Sequence, residues 1–114
     1  MPVKILVVDD EPLILTAVER ALVKVGYVVS RAQNMKEMAA CLESASFDLL
    51  ITDIHMEDDS VDNIIRRVAE TSPAVKVLKM SGAVDREEGG HFIEKPFSIE
   101  ALRKRVKEIL NEPS

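Results

Sequence analysis

Short apolar runs alternate along this chain with longer stretches in which apolar residues recur every three or four positions. The runs suit buried strands and the longer period suits amphipathic helices. Val3 to Val8, rich in β-branched residues, predicts a first strand that halts at Asp9-Asp10-Glu11. Leu13, Ile14, Ala17, Val18, Ala21, Leu22 and Val25 then form a broad apolar face for a first helix, with Asp10 as its cap, Pro12 in its first turn and Gly26 at its end. Tyr27 to Ser30 reads as a second strand. Asn34 caps a second helix whose inward stripe is Met35, Met38, Ala39 and Leu42.

The central run is Phe47 to Asp53. Leu49, Leu50 and Ile51 show no alternation, as expected of a strand covered on both faces, and the run stops on a carboxylate. An acidic loop, His55 to Asp59, follows. Val61, Ile64, Ile65 and Val68 mark a third helix closed by Ser72-Pro73. Ala74 to Met80 predicts a fourth strand ending at Ser81-Gly82, and His91 to Glu94 a short fifth one before Lys95-Pro96. Ser98 caps a last helix with Ile99, Leu102, Val106 and Ile109 on one face and a basic, solvated face from Arg103 to Lys107. Strands alternating with helices in this way predict an α/β fold, a doubly wound parallel sheet.

Composition narrows the class. With 114 residues and 46% apolar content, the chain reads as one domain spanning 1–114. A net charge of -5 with acids and bases intermixed argues against a nucleic-acid or anionic-membrane surface, which needs a basic stripe. The single cysteine, Cys41, excludes an internal disulfide and reads as a small packed residue. No signal-peptide pattern or membrane-length apolar run is present, so a cytoplasmic setting is expected.

The candidate chemistry follows from the strand ends. A parallel sheet brings the carboxyl ends of its strands together, so Asp9 and Asp10, Asp53, Ser81 and Lys95 are predicted to share one pocket. Clustered carboxylates repel one another unless a cation settles among them, and oxygen-only ligands favour a hard ion such as Mg2+. Asp53 then becomes a nucleophile toward a phosphoryl donor, giving an acyl phosphate, with Lys95 and Ser81 contacting the transferred oxygens. Taken singly, each residue has a plainer reading. Asp9 and Asp10 are helix caps, Asp53 a loop acid, Lys95 solvated surface, Ser81-Gly82 a turn and Phe92 a core aromatic. His55 and His91 lack partners at metal-ligand spacing.

The set VVDDEP, DLLITDIHM, MSGA and EKPF, in this order over nearly the whole chain, resembles the receiver domain of bacterial response regulators. The resemblance implies a flavodoxin-like sheet of order 2-1-3-4-5 and phosphorylation of Asp53 by a histidine kinase or phosphotransfer protein. It further implies that Asp10 and Asp53 ligate Mg2+ directly, Asp9 through water, and His55 through its backbone carbonyl. Lys95 would bind the phosphoryl group and precede a cis peptide at Pro96. Ser81 and Phe92 match the hydroxyl and aromatic whose coupled shift reports phosphorylation, and His55 and Ala83 occupy positions that influence how long the phosphoryl group survives.

Two departures from that family stand out. Met56 is followed by Glu57-Asp58-Asp59-Ser60-Val61, without the usual proline and glycine. Only Gly82 to Gly90 joins the fourth and fifth strands, whereas a parallel crossover takes about a dozen residues. The helix that normally lies there is therefore expected to be absent or cut to a turn within Ala83 to Glu88. A partner, a second copy of the chain forming a homodimer, or the loop itself would fill the gap. Two other functions compete with a phosphorylatable receiver: a receiver-shaped interaction module that no longer switches, and a small Mg2+-dependent phosphoesterase. The second needs a further acid or base beside Asp53, for which the chain offers only Asp9.

Overall fold

The computed structural model describes residues 2–82 and 90–113. Within them, β1 (Lys4–Val8), α1 (Pro12–Val23), β2 (Val28–Ala32), α2 (Met35–Ser44), β3 (Leu49–Asp53), α3 (Val61–Thr71), β4 (Lys76–Ser81), β5 (His91–Glu94) and α4 (Ile99–Leu110) follow in order. The strands form one parallel sheet of order β2-β1-β3-β4-β5. This is the predicted doubly wound arrangement. Ala83 and the turn expected up to Glu88 lie outside the described residues, and among the described residues no helix stands between β4 and β5.

Strand side chains alternate between two cores because the pleat has a period of two. Ile5, Val7, Leu49, Ile51, Leu78, Met80 and Ile93 face α1 and α4, where Leu15, Val18, Leu22, Leu102, Val106 and Ile109 meet them. Leu6, Val8 and Leu50 face the other way, toward Met38 of α2 and Ile64 and Val68 of α3. β3 is buried at all five positions, which explains the unbroken apolar run that marks it in the sequence. Ser72, the terminator of α3, is itself buried, and its Oγ accepts the amide of Phe47 at 2.8 Å.

Local signals set most element ends. Asn34 and Ser98 cap α2 and α4 as expected, accepting the amides of Glu37 and Ala101, and Ser60 does the same for α3 at Asn63. Asp10 does not cap α1. Glu11 occupies that position without a side-chain bond, and Asp9 accepts the Glu11 amide at 2.9 Å. Pro12 at the head of the helix leaves fewer amides needing a cap. α1 ends at Val23, and Gly26 turns the chain toward β2 with φ of 99°.

The apolar face of α1 is also rotated from the one expected. Leu15, Val18, Ala21 and Leu22 are buried, whereas Leu13 is 84% exposed and Val25 49%. The helix is apolar on nearly every side, so two adjacent stripes fit the helical period and the sequence does not choose between them. Ile99, expected to be inward on α4, is half exposed. Arg103, expected on the solvated face, instead donates from Nε to the carbonyl of Ala21 at 2.9 Å and ties α4 to α1.

Candidate functional site

The ladder bonds run one residue past the strands. The Asp9 amide donates to Ala32 O at 3.1 Å and the Lys95 amide to Ser81 O at 2.7 Å. Alternation therefore carries through. Asp9 continues the row of Ile5 and Val7, Asp53 that of Leu49 and Ile51, and Lys95 that of Ile93, all toward α1 and α4. The rows of β1, β3 and β5, apolar along the sheet, become ionic at its carboxyl edge, with β4 lying between the last two. This is why residues so distant in sequence meet.

Lys95 Nζ lies 2.8 Å from Asp9 Oδ2, 3.5 Å from Asp53 Oδ2 and 3.6 Å from Glu11 Oε1. Asp9 is fully buried and Asp53 nearly so, at 6% exposure. The other oxygen of Asp53, Oδ1, accepts the amide of His55 at 3.1 Å. Asp9, Asp10, Glu11 and Asp53 each offer a carboxylate oxygen within 4.8 Å of the others. Glu11 is a member of this cluster that the strand-end argument leaves out, although its place directly after Asp9-Asp10 was a usable signal.

Burial pushes the Asp9 carboxyl above its ordinary range and outweighs the opposite pull of the Lys95 hydrogen bond. Burial also opposes the charge on Lys95. There the hydrogen bond to Asp9 and the charges of Asp9, Asp53 and Glu11 prevail, so the lysine holds its proton more tightly than usual. The two partners move the same way for opposite reasons. The donor set fits a divalent cation of the hard class: all ligand atoms are oxygen, they converge, and acids outnumber the one ammonium set among them.

The remaining predicted residues take varied positions. Ser81 is buried at the end of β4, one residue beyond Met80, which pairs with Asp53. Phe92 is half-buried, with Lys79 Nζ 5.2 Å from its ring centre. His55 is exposed at its side chain. Lys95-Pro96 is cis, as expected. His91, which lacks a partner at metal-ligand spacing in the sequence, has its Nε2 2.9 Å from Glu112 Oε2. Ala83 lies outside the described residues.

Two cavities need to be told apart. One of about 350 Å3, lined by Tyr27, Lys76 and Lys107 among others, opens at the amino ends of the strands, away from the acids. One of about 110 Å3, lined by Ile14, Ala17, Val18, Lys95, Pro96 and Phe97, adjoins the ionic cluster. The second shares Lys95 with the cluster, whereas the first shares no residue with it.

The fold and this acidic cluster define a class of small α/β proteins that carry their chemistry beyond the carboxyl ends of parallel strands. A family model described as the response regulator receiver domain matches residues 5–107, and the chain belongs to that family, the phospho-accepting signalling domains of two-component systems. The transcriptional regulatory protein TrcR of Mycobacterium tuberculosis is 31% identical over 121 residues, covering 99% of this chain and 47% of TrcR. The chain thus spans about half, or less, of the length of the curated relatives it matches. Among solved structures, a response regulator from Thermotoga maritima is 32% identical with a TM-score of 0.83, covering 98% of this chain and all of the other. The chemotaxis response regulator CheY4 of Vibrio cholerae is 25% identical with a TM-score of 0.84, covering 96% of this chain and 99% of its own. Among the described residues, no helix is long and apolar enough to cross a membrane.

Proposed function

We propose that Asp53 is the phosphoacceptor of this domain, that Asp9, Asp10 and Asp53 with the His55 carbonyl hold Mg2+, and that a histidine kinase or phosphotransfer protein is the donor. The observation that carries this reading is the convergence of Asp53 with Asp9 and Lys95 at the carboxyl edge of the sheet. Asp53 supplies the nucleophilic oxygen. Its bond to phosphorus forms as the bond from phosphorus to the donor's imidazole nitrogen breaks, and that nitrogen keeps the electron pair. The amide of His55 fixes the carboxylate plane through Oδ1. Lys95, anchored on Asp9, presents its ammonium on the side of Oδ2, where the phosphoryl oxygens gather charge. When bound, Mg2+ contributes positive charge that offsets the repulsion among carboxylates and phosphoryl oxygens.

Ser81 and Phe92 are assigned the switch. Phe92 sits on β5, which runs directly into Lys95, and Ser81 ends the neighbouring β4, where its carbonyl accepts the Lys95 amide. The donor protein is assigned the rim formed by Leu13, 84% exposed, and the apolar cavity at Ile14, Ala17, Pro96 and Phe97. The test is incubation with Mg2+ and acetyl phosphate. A base-labile mass gain that is absent from Asp53→Asn supports the assignment, and a wild-type chain that never gains the mass overturns it.

A further inference from the structure

The segment from Ile54 to Ser60 joins the phosphoacceptor strand to α3, and it contains neither proline nor glycine. Its course must therefore be set by contacts. Met56 is buried in the core shared with Met38, Phe47 and Ile64. Asp59 folds back on its own neighbourhood, accepting the Ser60 amide at 2.8 Å and Asn63 Nδ2 at 2.5 Å. Asp58 does something different. Its Oδ2 accepts the backbone amide of Met35, the first residue of α2, at 3.0 Å.

Helix starts carry amides with no partner inside the helix, and the summed peptide dipoles add positive potential there. The cap residue Asn34 serves the Glu37 amide at 2.9 Å. Asp58 serves the Met35 amide, so a carboxylate from another loop completes the cap. On its other side the same turn touches the first acidic loop, where Gln33 Nε2 lies 3.4 Å from Asp10 O. The turn at residues 33–35 thus bridges the two loops that bear the acids. Asp10, Gln33, Asn34, Glu57 and Asp58 surround a cavity of about 170 Å3 between them.

We infer that Asp58 is a positioning residue: by capping α2 it sets the spacing between the Asp10 side and the Asp53-His55 side of the cation cluster. The inference rests on the phosphoacceptor reading above and deepens it. Asp58 holds a neighbouring backbone in place, as outer partners of metal ligands do.

Mg2+ titration by calorimetry on the whole chain tests this with Asp58→Ala, Asp58→Asn, Met35→Pro and the Asp58→Ala/Met35→Pro pair. Proline is tolerated at the first residue of a helix, and Asn34 is already extended as a residue before proline must be, so Met35→Pro removes the donor and keeps the helix. It also keeps the test alive if Asp58→Ala does not fold, which circular dichroism reports. Asp58→Ala and Met35→Pro are each expected to weaken Mg2+ binding by about tenfold or somewhat less, and the pair no further than either one. Asp58→Asn, which retains an acceptor oxygen, is expected to bind as the wild type does. Binding unchanged in Asp58→Ala overturns the inference. So does Asp58→Asn as weak as Asp58→Ala beside an unaffected Met35→Pro, because Asp58 then acts only through its charge. A wild-type chain that binds no Mg2+ strikes at the phosphoacceptor reading itself, and the inference goes with it.

Discussion

The ammonium of Lys95 lies 2.8 Å from Oδ2 of Asp9, closer than to Oδ2 of the phosphoacceptor candidate Asp53, at 3.5 Å. Lys95 is thus an internal cation for the cluster, and in the proposed function it is also the contact for an incoming phosphoryl group. Removing it separates the two roles. In Lys95→Met, Mg2+ affinity is expected to rise by about thirtyfold, since an ammonium near 4 Å repels a divalent cation by about 2 kcal/mol even in water, twice the value for a unit charge. Labelling by acetyl phosphate is expected to fall by about tenfold or more, the usual cost of removing one donor aimed at developing charge. Calorimetry and mass spectrometry read the two effects, and a loss of Mg2+ affinity would show that Lys95 organises the acids instead of competing at them.

Asp9 and Lys95 both hold their protons more tightly in the folded chain than their ordinary values of 3.8 and 10.5. For Lys95 the stabilising contribution is complete below the unfolded value and is lost as pH rises through the higher folded one. Metal-free protein is therefore expected to lose stability above about pH 10.5, with a shallower alkaline slope in Lys95→Met. For Asp9 the favourable state is the protonated one, so at neutral pH its buried charge is a cost. Asp9→Asn is expected to raise the melting midpoint at pH 7 in chelator, by about 4–8 °C for each kcal/mol relieved. The gain should shrink as pH falls toward the range where Asp9 takes up a proton. A lower midpoint in Asp9→Asn would mean that the Lys95 pair outweighs burial.

These predictions concern residues that the sequence made legible because each ends a strand, and strand ends in a parallel sheet converge whatever the loops do. Asp9, Asp53 and Lys95 continue apolar rows whose period is two, so their meeting follows from the strand pattern. The phase of α1 did not follow, because Leu13 and Leu15 are equally apolar and only the position of the sheet decides between them. The destination of Asp58 was also hidden. Its partner is a backbone amide of another element, and a backbone amide leaves no mark in composition. Arg103 was misread for the same reason, since its acceptor is the carbonyl of Ala21.

The exposure of Leu13 bears on partner choice. A leucine 84% exposed gains little from folding, so its replacement by aspartate should change stability by less than about 0.5 kcal/mol. If the donor protein rests on this rim, Leu13→Asp will be labelled by acetyl phosphate at the wild-type rate. Transfer from a phosphorylated histidine phosphotransfer protein that labels the wild-type chain will slow by about tenfold, as for an apolar anchor at an interface. Equal slowing with both donors would place the defect in the site and remove the rim from the account.

Ser72 offers a test at the opposite end of β3. Its hydroxyl is buried and accepts the amide of Phe47 at 2.8 Å, just ahead of the strand that delivers Asp53. Alanine at this position deletes the acceptor and leaves the Phe47 amide buried without one, a loss that exceeds the value of the hydrogen bond itself because the donor has also given up water. The expected cost is about 1–3 kcal/mol in urea unfolding, with the slope unchanged. Threonine keeps the hydroxyl and should recover most of the loss if the added methyl group fits. The site lies at the far end of the strand, so Asp53 should label normally in folded Ser72→Ala. Slower labelling in that variant would show that the start of β3 governs the placement of its last residue.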